Sequence, residues 1–352
     1  MSQPTMAAVA KAAGVSKNTV SLALRGSPRL AAGTRERIVA LAVEMGYNLN
    51  PTVAQLMAEL RRNRTPGYQA TLAIINAHRD REAFRTHPTI PRYVQGCWAR
   101  ARRLGYRLDE FWLHDPDLPV ARWLSILRAR NIRGLIIIGM MQQNRLPTRL
   151  ARLWDEFPAV VTGVRTRDPG LSFACSDQHA LALEAFEKAV ALGYRRPALV
   201  LDGVIDELIE GRFTAGFLTA QSHLVAPRNR TQPFYEVAAA RGDPRLFENW
   251  LKANRPDVIF TLYHEVKRWL LGLGHRVPED VGLIQYEWRE DHREWAGMDQ
   301  RNDLVGEAAV DMLISMVHNH EHGVPLNPRA TMIGSSWVDG QTVRRVNADK
   351  CP

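Results

Sequence analysis

The chain has 352 residues, 45% of them hydrophobic and 24% charged, a balance that excludes a disordered or fibrous protein and allows two or three folding units. Cys97, Cys175 and Cys351 have no ligand-like spacing, which argues against a disulfide framework and a structural zinc site, and the longest apolar run, 135–141, is too short to span a bilayer. The opening MSQPTMAAVAKAAG has no basic start followed by an apolar core, so the expectation is a cytoplasmic protein.

Net charge is +9, and its placement is uneven. Residues 1–66 hold nine Lys/Arg against three Glu, a net +6 on one-fifth of the chain. A small module with that excess is suited to phosphate contact. Within it Met6, Val9, Ala10 and Ala13 recur at helical spacing and Gly14 permits a sharp turn. Ser16 is a good N-cap for a second helix, and Val15 before it can staple onto Val20. Val20 and Leu24 then face inward, leaving Lys17, Asn18, Ser21 and Leu22 on the opposite side. A third helix is expected from Thr34, burying Ile38, Leu41, Ala42 and Met45 before Gly46. Asn50-Pro51 reads as an N-cap with proline at the first helical position, followed by the stripe Val53, Leu56, Met57 and Leu60. The stretch 63–67 looks like a flexible join.

From 71 onward strands and helices alternate. TLAIINA, YRLDEFWL, GLIIIGM and PAVVTGV read as strands, with helices at 93–104 and 120–130 between them. A second series follows a crossing near Arg165, with strands at 172–176, 197–201, 258–262 and 281–286 and helices near 178–192, 211–221 and 263–272. Repeated βα units imply two parallel-sheet lobes, and two facing lobes enclose one cleft at the carboxyl ends of their strands.

The string AAVAKAAGVSKNTVSLALRGSPRLAAGTRERIVALAVEMGYNLN resembles the headpiece of the LacI/GalR (lac repressor) family of transcriptional regulators over about 45 residues without a gap. The likeness continues, thinner, through CSDQHALALEAFEKAVALGYRRPALV, RPDVIFTLYHEV, GHRVPEDVGLI and DQRNDLVGEAAVDMLI. It implies an all-α helix-turn-helix headpiece joined to a two-lobed, periplasmic-binding-protein-like α/β effector domain with parallel sheets. The expected domains are a headpiece over 1–48, a hinge helix and linker over 49–66, and an effector-binding and dimerisation domain over 67–352. Its N-lobe is expected at about 68–165 plus 293–324 and its C-lobe at about 166–292 plus 325–352.

The expected DNA-contacting residues are Thr5, Ser16, Lys17, Asn18, Thr19, Ser21, Leu22, Arg25, Thr34, Asn50 and Leu56. Leu22 stands where the family commonly has a polar or basic residue and offers only apolar contact, for example to a thymine methyl. Leu56 takes the place of the hinge leucine that enters the minor groove. For the effector, the resemblance points to Arg212, His264, Glu287 and Gln300, and Asn76 completes the set. Tyr263, Tyr286 and Trp288 suit stacking on a sugar ring or a base. The departures at Tyr286-Glu287-Trp288 and WVDGQT mark a divergent subgroup.

The function implied is a sequence-specific regulator, a repressor by the resemblance, acting on a pseudo-palindromic operator as a homodimer or tetramer. A sugar or related metabolite between the lobes would tune its operator affinity. The alternative is a small-molecule binding protein or enzyme on the same scaffold. No phosphate loop, GxSxG or HExxH motif is present, and Glu279-Asp280 and Glu290-Asp291 adjoin loops without a partner base. His318, His320 and His322 lack a cysteine or a well-placed acid to complete a metal site. No enzyme activity, cofactor, metal or membrane is expected.

Overall fold

A computed structural model describes residues 6–24, 30–45 and 68–344. The three headpiece helices are α1 (Met6–Ala13), α2 (Lys17–Leu24) and α3 (Ala32–Glu44). Val9, Ala10, Ala13, Val20, Ala23, Ile38 and Ala42 form their core, with Met6, Val15, Leu24, Leu41 and Met45 packed around it. At the first turn Gly14 sits at φ +66°, its N–H donating to Lys11 O at 3.3 Å while Val15 N–H donates to Ala10 O at 3.0 Å. That pair of bonds closes a helix through a left-handed residue, the conformation glycine reaches without strain. The third helix begins two residues before the expected Thr34, and its cap residue Ala31 offers no side-chain oxygen.

The rest of the chain forms two sheets. One has the order β2-β1-β3-β4-β5-β10, from Tyr106–Trp112, Ala70–Asn76, Ile132–Ile138, Ala159–Thr162, Ser172–Ser176 and Ala330–Ile333, all parallel. The other has the order β6-β7-β8-β9-β11, from Pro197–Val200, Val258–Thr261, Gly282–Gln285, Ala296–Asp299 and Ser336–Val338, parallel except for β11. Every residue of β1 is buried, as expected of a central strand covered on both faces.

The lobe boundaries differ from expectation at three places. β5 lies in the first sheet, with Val160 opposite Ser172, and not in the C-lobe; β9 lies in the second sheet, with Ile284 opposite Ala296, and not in the N-lobe; β10 pairs with β5 in the first sheet. The chain therefore crosses between lobes at 176–178, 299–302 and 333–336. The reason is physical: short buried strands such as SFACS carry a β signal but nothing that tells one hydrophobic sheet edge from another.

The N-lobe helices Ile90–Arg103 and Asn302–His318 pack closely through Gly96 and Gly306. A Cβ at Gly96 would collide with the carbonyl oxygen of Asp303, and one at Gly306 with that of Tyr93. Arg92 ties its helix to the Asn302–His318 helix through Asp303 at 3.0 Å and to the end of β9 through Asp299 at 2.8 Å. Across the C-lobe runs an aromatic stack in which Phe186, Phe260, Tyr286 and Phe213 follow one another with centroids 5.7, 5.4 and 4.9 Å apart.

Candidate nucleic-acid interface and ligand cleft

On the headpiece, Ser16 Oγ accepts a 3.1 Å hydrogen bond from the N–H of Thr19 and lies 2.8 Å from its hydroxyl, so it caps α2 as its sequence position predicts. This cap fixes the start of the helix that would enter a major groove. Lys17 is exposed and Leu22 half-exposed, while Val20 and Ala23 are buried. The exposed face of α2 thus carries residues able to meet phosphates and base edges. Thr34 is partly exposed in the first turn of α3. Thr5, Arg25, Asn50 and Leu56, the side chains of Asn18 and Ser21, and the whole expected hinge lie outside the described residues.

Between the lobes is a cavity of about 530 Å³. It is built where strands of both sheets end: Met140 and Met141 follow β3, Gly163 follows β4, Gln178 follows β5, Tyr263 and His264 follow β7, Glu287 and Arg289 follow β8, and Gln300 follows β9. Strand ends converge because a parallel sheet delivers all its following loops to one edge.

Glu287 carries one carboxylate oxygen to each N-lobe helix start. Its Oε2 accepts from Thr89 Oγ1 at 3.1 Å and its Oε1 from Asn302 Nδ2 at 3.3 Å. Two helix N-termini and these donors favour the anion, yet burial outweighs them and raises the Glu287 pKa above the ordinary carboxylate value. Gln300 is held by Nε2 donating to Tyr286 O at 2.9 Å and by its own carbonyl accepting from Ser176 Oγ at 2.8 Å.

His264 and Arg289 form a second cluster. Arg289 Nη2 lies 3.3 Å from His264 Nδ1, and His264 stacks on His292 at 3.8 Å. A guanidinium has no lone pair, so Nδ1 is the acceptor and the ring proton sits on Nε2. Burial first, then the His292 and Arg289 charges, lower the His264 pKa to about 4 and keep it neutral. On the N-lobe wall His87 is likewise lowered to about 4 by burial and by His78 and Arg289, and its Nδ1 accepts from the N–H of Thr89 at 3.1 Å.

Of the five expected ligand residues, His264, Glu287 and Gln300 line this cavity. Arg212 lies beside it, below Ile209 and Phe213: its Nε donates to Ile209 O at 2.7 Å, its Nη1 to Cys175 Sγ at 3.0 Å, and its Nη2 is buried without a partner among the described residues. Asn76 does not join them. Its Nδ2 donates to Asp80 O and Arg81 O and its Oδ1 accepts from His78 N–H, so it shapes the 77–81 turn and borders a separate N-lobe hollow. Tyr263 lines the cavity, whereas Tyr286 is fully buried in the aromatic stack and Trp288 is not part of the lining. Thr89, Tyr93, Phe213, Arg268 and Arg289 were not anticipated. Thr89 could have been noticed, because it precedes Ile90-Pro91, a proline at a helix start.

Among the described residues no helix is long and apolar enough to cross a membrane, and no group of His, Cys, Asp and Glu could hold a metal ion.

Comparison with known proteins agrees with this architecture. Residues 5–50 match the family model of bacterial regulatory proteins, lacI family, and residues 186–343 match a periplasmic binding protein-like domain. The HTH-type transcriptional regulator PtxS of Pseudomonas plecoglossicida is 29% identical over 332 residues, which cover 90% of each chain. A solved complex of the transcriptional regulator CelR with cellobiose superposes with TM-score 0.59 at 18% identity, covering 96% of this chain and 99% of that one. The lac repressor dimer bound to operator and the anti-inducer ONPF superposes with TM-score 0.56 at 20% identity, covering 97% and 99%. A lacI-family helix-turn-helix match joined to a periplasmic binding protein-like domain gives the chain the domain pair of the HTH-type transcriptional regulators to which it is similar.

Proposed function

We propose that the chain works in the cytoplasm as a homodimeric repressor whose headpieces grip a pseudo-palindromic operator and whose cleft senses a small polar metabolite. Residues 1–48 serve as headpiece, 49–66 as hinge, and the two lobes as sensor. In the headpiece Ser16, Lys17, Asn18, Thr19, Ser21 and Leu22 face DNA, flanked by Thr5, Arg25, Thr34, Asn50 and Leu56. In the sensor Glu287, Gln300 and His264 face the ligand, with Arg212 beside them. The observation that carries the reading is one chain holding both a serine-capped helix with an exposed Lys17 and a cavity into which both sheets deliver their strand ends. The solved relatives, one with cellobiose and one as a dimer on operator, support the same division. The cleft is read as a binding site because its Glu287 carboxylate is engaged by Thr89 and Asn302 in holding the lobes together.

Selection of DNA sites from a random pool by the full-length protein tests this. A two-fold symmetric consensus, bound with an affinity that falls steeply with salt as condensed counterions are released, is the expected result. Binding without sequence preference, or without salt dependence, would refute it.

A further inference from the structure

We infer that the molecule held between the lobes carries an oxyanion, a carboxylate or a phosphate on a small carbon skeleton, and that Arg289, Arg268 and His264 receive it; this rests on the reading of the cleft as the effector site.

The charges that line the cavity do not cancel. Arg241, Arg268 and Arg289 face Glu265 and Glu287. Arg241 and Glu265 neutralise each other at 2.8 Å, which leaves Arg268 and Arg289 against Glu287 alone. Arg268, exposed at the rim, makes no ion pair among the described residues. The Arg289 side chain is only 18% exposed; Asp291, 3.5 Å away, is itself 65% exposed and also faces His292, and the Glu287 carboxylate that feels the Arg289 charge also feels that of Arg92. A cation walled in with so weak a counter-charge is costly unless an anion joins it.

The hydrogen-bonding groups point the same way. Nε of Arg289 is buried and makes no hydrogen bond, with only Asp291 Oδ1 at 3.5 Å beside it, and Nε2 of His264, the nitrogen that carries the proton, has no hydrogen-bond partner among the described residues. Two donors without hydrogen bonds on two contacting side chains suit an acceptor-rich partner, and a guanidinium fork matches the planar edge of a carboxylate or the face of a phosphate. The lowered pKa of His264 keeps that ring a neutral donor in the same positive field. Phe213, Ile209, Met140 and Tyr263 offer apolar surface for the carbon skeleton, while Glu287 and Gln300 can take its hydroxyls. An uncharged sugar would leave Arg289 with only the exposed Asp291 and a Glu287 carboxylate shared with Arg92 to balance it.

The test is thermal unfolding and calorimetric titration of the full-length protein with gluconate, glucuronate, galacturonate and glucose 6-phosphate, each beside its uncharged parent sugar, with cellobiose and inorganic phosphate added. At least one acid should raise the melting temperature with concentration while its parent does not. The carboxylate and phosphate arms tell which oxyanion is meant. Arg289→Gln should weaken that binding about ten- to a hundredfold, the effect of losing a charge-assisted hydrogen bond. Arg289→Lys, which keeps the charge, should retain the preference for the acid, and unliganded melting curves show whether each variant folds. Equal binding of an acid and its parent, or an Arg289→Gln protein that binds as well as wild type, overturns the oxyanion. Uncharged sugar binding that Glu287→Ala abolishes would do so while leaving the cleft as effector site; silence from every compound would overturn the oxyanion and weigh against the effector reading as well.

Discussion

Thr89 Oγ1 in the N-lobe donates a 3.1 Å hydrogen bond to Glu287 Oε2 in the C-lobe, so the lobes are tied directly across the cavity. Thr89→Val keeps the shape and removes the donor from a buried carboxylate, which should cost about 1–3 kcal/mol of stability. Glu287→Gln keeps an acceptor without burying a charge and should be neutral or stabilising near pH 7. Chemical denaturation of both variants checks the pair. Equal destabilisation by both would mean that the bond matters and the burial of charge does not.

Acid should loosen the cleft through its histidines. His87 and His264 both stand at about 4 against an ordinary 6.5, so the native state binds fewer protons than the unfolded chain. Their contribution is complete above about pH 6.5 and is lost as pH falls toward about 4. Glu287 works in the other direction: its raised pKa means that stability declines as pH rises from the ordinary carboxylate range through the raised value. Protonated His87 can no longer accept from Thr89 N–H, so the start of the Ile90–Arg103 helix loosens with it. Melting curves of the His87→Asn, His264→Gln double variant should show a smaller loss between pH 6.5 and 4 than wild type, and an identical loss would place the acid sensitivity elsewhere.

Gly96→Ala and Gly306→Ala each raise helix propensity by about 1 kcal/mol, yet both should destabilise the N-lobe. The added methyl meets a backbone carbonyl of the facing helix, which cannot rotate aside. Overpacking of this kind costs about 1–3 kcal/mol or more and should exceed the propensity gain. A raised melting temperature in either variant would show that the helix pair can spread at little cost.

At the headpiece, Lys17→Ala should reduce the slope of log affinity against log salt by about one and weaken all DNA sequences alike. Ser16→Ala should remove about 1 kcal/mol from the headpiece by uncapping α2. A Lys17→Ala protein that loses sequence preference but keeps its salt slope would assign Lys17 to base reading.

The sequence disclosed different parts of the molecule to different depths. The headpiece was readable because its signals are local: Gly14, the Ser16 cap and the Val9, Val20, Ile38 core each act within one turn or between adjacent helices. Strands β1 to β8 were readable, and all but β5 fall in the expected lobe; β5 does not, since its pairing with β4 and β10 depends on register between distant segments. His264, Glu287 and Gln300 could be placed by resemblance. Arg289 and Thr89 could not, because their roles arise from contacts of 3.3 Å with His264 and 3.1 Å with Glu287, across 25 and 198 residues of chain. Asn76 shows the converse, an inward polar residue at a strand end whose hydrogen bonds close a local turn.

The most direct measurement is operator affinity of the full-length protein, at one salt concentration, without ligand and with a saturating cleft ligand. Coupling between headpiece and cleft predicts a change of about 5- to 150-fold and, by reciprocity, an equal change in ligand affinity when operator is bound. A ligand that demonstrably occupies the cleft yet leaves operator affinity unchanged would contradict the account.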